Sequence, residues 1–150
     1  MWHALFAFTN IWATLAWVLL LFFPRKPLTH SAIMYLGVGL LCFIYLVLFA
    51  TVVGGLIDPH RAVGSGEASF ISIEGVRAFF GSDGGVVIGW THYLAFDLFT
   101  GMWISRDADA KGFSRLVQLP FLLLTFLVGP IGLFFWLIVR ERKARAAARA

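Results

Sequence analysis

The chain has 150 residues, of which 60% are hydrophobic, 17% aromatic and 13% charged, with a formal net charge of +4. Water-soluble domains carry about twice that charged fraction, so an ordinary soluble domain is excluded. One cysteine, Cys42, excludes an intrachain disulfide framework and reads as a small packing residue.

Four long, almost uncharged runs follow one another: Trp2–Phe23, Ser31–Ile57, Val86–Ile104 and Leu116–Val139. Each is near or above the roughly 20 residues that cross a hydrocarbon layer as a helix. The sequence therefore predicts an all-α membrane protein, one domain over residues 1–150, with four transmembrane helices. The first run opens with Met-Trp-His. It lacks a basic n-region and is longer than an h-region, so it reads as a span and not as a cleaved signal. It carries Asn10 and Thr14 at i,i+4, with His3 and Trp17 on a similar face.

The link "PRKPLTH" is short. Pro24 and Pro27 stop the helix, and Arg25 and Lys26 suit lipid headgroups. Span two aligns Tyr35, Gly39, Cys42, Leu46 and Phe49. The next link, Asp58–Gly85, opens with a polar hinge, "DPHRAVGSGEA", and continues "SFISIEGVRAFFG". Here Ser69 is a candidate cap and Gly81 a terminator for a short amphipathic helix. Ile73, Val76 and Phe80 share one face of it, and Glu74 and Arg77 the other, as expected of a helix lying on the membrane surface.

Span three contains "GWTHYLAFDLFTG", and the link "SRDADAKGFS" follows it. Span four contains "VGPIG", where Pro130 removes a backbone donor, frees the carbonyl of Phe126 and kinks the helix. The tail "RERKARAAARA" is a basic stop-transfer anchor for anionic lipid. No aromatic residue is interleaved in it, so nucleic acid is not an expected partner. With four crossings, seven Lys/Arg fall on the side of the N-terminus, the second link and the tail, and five on the other. That balance puts both termini in the cytoplasm.

All 12 Lys/Arg and seven of the eight acidic residues lie outside the spans; Asp97 is the exception. A carboxylate at mid-span costs about 2.5–3.5 kcal/mol on insertion scales, so it faces the bundle interior, either protonated or beside donors. It is a functional-site candidate, with an interhelical hydrogen-bond clamp as the bland alternative. Tyr93 is four residues before it and Thr100 three after, on one helix face. His92 is turned about 140° away, so it reaches a shared cavity only from another edge. Trp90, Asn10, Thr14 and Arg77 are candidates for the remaining wall. His3, His30, His60 and His92 stand in separate segments, so no metal site is expected. There is no nucleophile triad and no phosphate-binding Gly-rich loop.

The string "GWTHYLAFDLFTGMWISRDA", followed by "LVQLPFLLLTFLVGPIGL", resembles the neoxanthin-synthase-like family, small membrane proteins named after a plant abscisic-acid deficiency. Asn10 in span one, the "DP" at Asp58 and "EGVRAFF" agree, and the resemblance covers essentially the whole chain. Plant members carry a plastid transit peptide, which this sequence lacks, so a bacterial inner-membrane member is expected. The resemblance implies carotenoid chemistry in the membrane: a xanthophyll epoxide opens while a carbon-bound proton leaves to form an allene. That isomerisation needs no redox cofactor. It needs an acid and a base, for which Asp97, His92, Glu74 and Tyr93 are the candidates. Tyr93, Asn10, Thr14, Thr100, Trp90 and Arg77 are the expected ligand-binding set. Expected partners are membrane lipid, a carotenoid or other polyene, and a second copy or a pigment enzyme. The alternatives are a non-enzymatic membrane scaffold or accessory subunit of a pigment complex and, third, a small transporter or lipid-handling protein.

Overall fold

The computed structural model describes residues 1–23, 26–57 and 68–147, with side chains as far as Glu141. The Asp58–Pro59 pair and most of the polar hinge lie outside the described residues. Every regular element described is helical, as the hydropathy pattern predicts. Helix α1 spans Trp2–Phe22. Helix α2 runs continuously over Pro27–Val53 and is widened into π-type turns over Ile33–Gly39. A short α3 covers Ile73–Phe79, α4 Asp83–Ala110, α5 Arg115–Val128 and α6 Pro130–Ala147.

Local chemistry sets these boundaries. Pro27 opens α2, where its missing N–H costs nothing. The π-type turns rearrange the backbone pairing, and the Trp12 indole of α1 donates to the Leu36 carbonyl at 2.7 Å. The amphipathic helix α3 exists, but it begins three residues later than expected. Ser72, not Ser69, is its cap, its Oγ accepting the Gly75 N–H at 3.1 Å. Its buried face is also a different one. Gly75, Ala78 and Phe79 pack inward, while Ile73, Phe80, Glu74 and Arg77 are exposed. Ser82 caps α4 in the same manner, accepting from Gly85 at 3.1 Å.

Helices α1, α2 and α4 form the centre. Trp17 of α1 lies directly over Gly101 of α4, with no room for a side chain there. A Cβ on Gly37 of α2 would come within 3.1 Å of both Ala16 and Leu98, so the three backbones meet closely, as small residues allow in membrane bundles. Trp17, Leu98, Met102, Leu122 and Trp136 are all buried in this core. Large apolar side chains such as Phe43, Leu46, Phe96 and Leu127 point outward.

Residues 116–139 do not form one crossing helix. Gly129 adopts φ +47° and ψ −101°, and the chain reverses there instead of kinking. Helix α5 runs back along α4: Gln118 Nε2 donates to Asp109 at 2.9 Å, and further down the Tyr93 hydroxyl reaches the Leu127 carbonyl at 3.5 Å. Helix α6 then returns. Leu133 and Leu137 stand beside Phe99, Thr100 and Trp103, and Arg140 is back at Asp107. Phe121 and Trp136, with ring centroids 5.5 Å apart, close the hairpin on itself. The tip at Gly129–Pro130 therefore lies midway along α4.

Two expectations are corrected by this. Among the described residues two helices are long and apolar enough to cross a membrane, α1 and α2; four spanning helices are not supported. The fourth run is split in half by the reversal, and α4 dilutes its apolar run with Thr91, His92, Tyr93 and Asp97. The placement of both termini on one side rested on a straight fourth helix. The hairpin instead brings residue 140 to the end of α4 that holds Asp107.

Candidate functional site

The polar stretch of α4 faces the tip of the hairpin. Asp97 is the 15th of the helix's 28 residues and is 8% exposed. Its carboxyl group lies on the backbone of Gly129: a Cβ there would stand 2.5 Å from Oδ1. Only glycine satisfies both the positive φ and this approach. Tyr93, one helical turn earlier, interacts with the carboxyl group through its side chain. The same hydroxyl reaches the Leu127 carbonyl at the end of α5, where a helix has no N–H of its own to offer. Oδ2 of Asp97 is buried and has no hydrogen-bond partner among the described residues. An unmet acceptor in such surroundings costs about 1–3 kcal/mol or more, so the fold holds it in place at a cost.

The expected wall is assembled in part. Trp90 stacks on Tyr93, centroids 5.3 Å apart, and its indole donates to Asn10 Oδ1 of α1 at 3.0 Å. Asn10 is therefore engaged by Trp90 and not by Asp97. Its Nδ2 bonds the Phe6 carbonyl at 2.6 Å, and Thr14 bonds the Asn10 carbonyl at 2.8 Å. Thr100, one turn beyond Asp97, lines a cavity of about 340 Å³ with Phe99, Trp103, Leu133 and Leu137. The polar line thus runs Asn10, Trp90, Tyr93, Asp97, with the apolar cavity of Thr100 next to it.

His92 stands apart, as helix geometry requires. It is exposed on another face, its ring 4.6 Å from Phe96 and 5.5 Å from Tyr45. Glu74 and Arg77 sit on the exposed side of α3. The structure does not bring His92, Glu74 or Arg77 to the Asp97 carboxyl. No group of three or more His, Cys, Asp or Glu among the described residues is placed to hold a metal.

Reading the sequence missed a second polar node. Asp107, near the end of α4, accepts from Arg140 Nε at 2.7 Å and from a terminal nitrogen of Arg140 at 2.8 Å. It also accepts from Trp136 Nε1 at 3.1 Å and Lys111 Nζ at 2.5 Å. The Arg140 guanidinium also lies 5.4 Å from the Trp103 ring. Hydrogen bonding from Arg140, aided by Lys111 and outweighing the effect of burial, holds the Asp107 carboxyl down at about 2. Asp107 in turn raises the Arg140 guanidinium further above its ordinary value. The only sequence signal was an acid in "SRDADA" and the first cation after span four, which a straight fourth helix would place on opposite sides.

The ABA DEFICIENT 4-like family matches residues 4–136. No curated protein and no solved structure matches the chain. The match runs from Ala4 in α1 to Trp136 of α6, includes every residue of the Asp97 site, and agrees with the resemblance carried by "GWTHYLAFDLFTG". The chain belongs to the ABA DEFICIENT 4-like family.

Proposed function

We propose that the protein is an integral membrane protein of carotenoid metabolism. In this reading it binds a xanthophyll or related polyene beside the hairpin tip, where Asp97 isomerises an epoxide end group. Family membership supports the substrate class. The observation that carries the chemistry is the buried Asp97 Oδ2, left without a partner at the tip of the hairpin. A polyene packs on apolar walls, and the exposed aromatic faces of α4 and α6 supply them. The reaction balances with a single carboxyl group. Protonated, it gives its proton to the epoxide oxygen as the carbon–oxygen bond breaks. The carboxylate then takes the carbon-bound proton, and that electron pair becomes the second double bond of the allene. Tyr93 positions the group throughout.

In this reading α4 crosses beside α1 and α2 although it is less apolar than they are, because the hairpin covers Asp97, and the α5–α6 hairpin enters to mid-depth and leaves by the same face. Non-regular backbone is tolerated at that depth because Gly129 is buried in protein, against Asp97. The reading is tested by expressing the protein in carotenoid-producing cells and separating the pigments by chromatography. A new xanthophyll isomer of unchanged mass supports it. Unchanged pigments, with no polyene co-purifying, overturn it.

One observation favours a second reading. Asp97 presses on Gly129, which suits a structural clamp in a non-enzymatic scaffold for a pigment enzyme. In that case Asp97→Asn, which keeps the shape, retains function.

A further inference from the structure

A second cavity, of about 380 Å³, opens between the start of α2 and the last turns of α4. His30, Ser31, Tyr35 and Arg106 give it polar groups, and Met34 and Met102 an apolar floor. It is unrelated to Asp97, and the carotenoid reading does not use it. Its depth is fixed by its neighbours: Lys26 precedes α2, and Arg106 lies two residues beyond the apolar run of α4. It therefore sits where headgroups meet acyl chains.

Charge defines what it takes. Arg106 is exposed, and the carboxylates beside it in sequence are engaged elsewhere. Asp107 is occupied by Arg140 and Lys111, and Asp109 accepts from Gln118. Among the described residues lining the cavity, the guanidinium is the one formal charge. Tyr35, at its edge, is 74% exposed, and the next residue of α2, Leu36, is 63% exposed. A guanidinium beside exposed apolar surface suits an anionic oxygen on an acyl-chain body. We propose that this cavity seats the phosphate of an anionic phospholipid, with Arg106 as its principal donor, His30 and Ser31 around the headgroup, and one acyl chain along Tyr35 and Leu36.

The test uses the full chain, delipidated in detergent and titrated with dioleoyl phosphatidylglycerol or dioleoyl phosphatidylcholine under native mass spectrometry. Phosphatidylglycerol is expected to bind as one retained molecule and phosphatidylcholine not to be retained. Arg106→Gln should weaken phosphatidylglycerol about tenfold, the effect of one charge-assisted contact, with partial recovery in Arg106→Lys. Arg115→Gln, exposed at the start of α5 and outside the cavity, should change nothing. Equal losses in the Arg106 and Arg115 variants would reduce the effect to general charge attraction and overturn the site. Displacement of the lipid by an equal concentration of inorganic phosphate would assign the cavity to free phosphate and overturn the lipid. Arg106 is exposed, so its variants should keep the wild-type melting temperature, and circular dichroism checks this.

Discussion

The carboxyl group of Asp97 rests on the α-carbon of Gly129, so the middle of α4 and the tip of the α5–α6 hairpin share one contact. Each residue limits the other. Asp97 leaves no space for a side chain at 129, and the turn at 129, with φ +47°, is one that side chains disfavour. Gly129→Ala is expected to lower stability by about 2–5 kcal/mol, from backbone strain plus overpacking. Gly55, at φ +71° with open space around it, is the control: Gly55→Ala should cost only about 1–2 kcal/mol. Thermal unfolding in detergent compares them, and equal shifts would show that Asp97 does not press on the tip.

Asp97→Asn keeps the shape and the contact but not the carboxyl chemistry. If Asp97 is the acid and base, this variant should fold and reach the membrane normally while pigment conversion falls by at least about 10²-fold, the usual scale of a lost general acid–base group. Tyr93→Phe should give a smaller loss, because the carboxyl remains while its positioning partner is gone. Pigment ratios against protein level read both out. Full conversion by Asp97→Asn would move the function to the scaffold reading.

The Asp107 node predicts an acid-dependent stability. Its carboxyl sits at about 2 in the folded chain, against about 3.9 when unperturbed. A depressed carboxyl contributes stability above its unfolded value. That contribution fades as pH falls through the window from about 4 to about 2. Asp107→Asn should therefore lower stability by about 1–3 kcal/mol at pH 7 and flatten the dependence across that window. Arg140→Lys keeps the charge but loses the two-pronged contact, and should lie between. Unfolding midpoints measured from pH 7 to pH 2 give the comparison. A wild-type curve no steeper than that of Asp107→Asn would count against the node.

Much of this architecture could be read from the residues. The apolar runs located α1, α2 and α4, and the i,i+4 spacing put Tyr93 with Asp97 and His92 elsewhere. The short helix before α4 was legible from its alternation of apolar and charged positions, although Ser72 was the cap and Ser69 was not. The reversal at Gly129 was hidden because hydropathy measures composition and not direction: "LVQLPFLLLTFLVGPIGLFFWLIV" reads the same whether it crosses or returns. Long-range pairs such as Asp107 with Arg140, 33 residues apart, and Phe121 with Trp136 distinguish the two. Asn10 was legible as part of the wall but its bond from Trp90 was not, since which donor an amide meets depends on helix rotation that spacing does not fix.

The hairpin changes the topology that charge predicts. If residues 116–139 crossed, the Lys/Arg would divide seven to five. With Arg140 returned to the Asp107 end, Arg77 stays on the N-terminal side, and Arg140 joins Lys26, Arg106, Lys111 and Arg115 on the other. Among the described side chains that is five against one, a strong positive-inside bias where seven against five over the whole chain was nearly none. The N-terminus is then expected outside the cytoplasm and the C-terminus within it. Cysteines introduced one at a time as His3→Cys and Ala146→Cys, in a Cys42→Ser background, can be probed on intact cells with a membrane-impermeant maleimide. Labelling of position 3 alone, with position 146 labelled only after lysis, is the expected result. Equal labelling of both before lysis would mean that the hairpin crosses the bilayer after all, and that Arg140 does not reach Asp107 in the membrane.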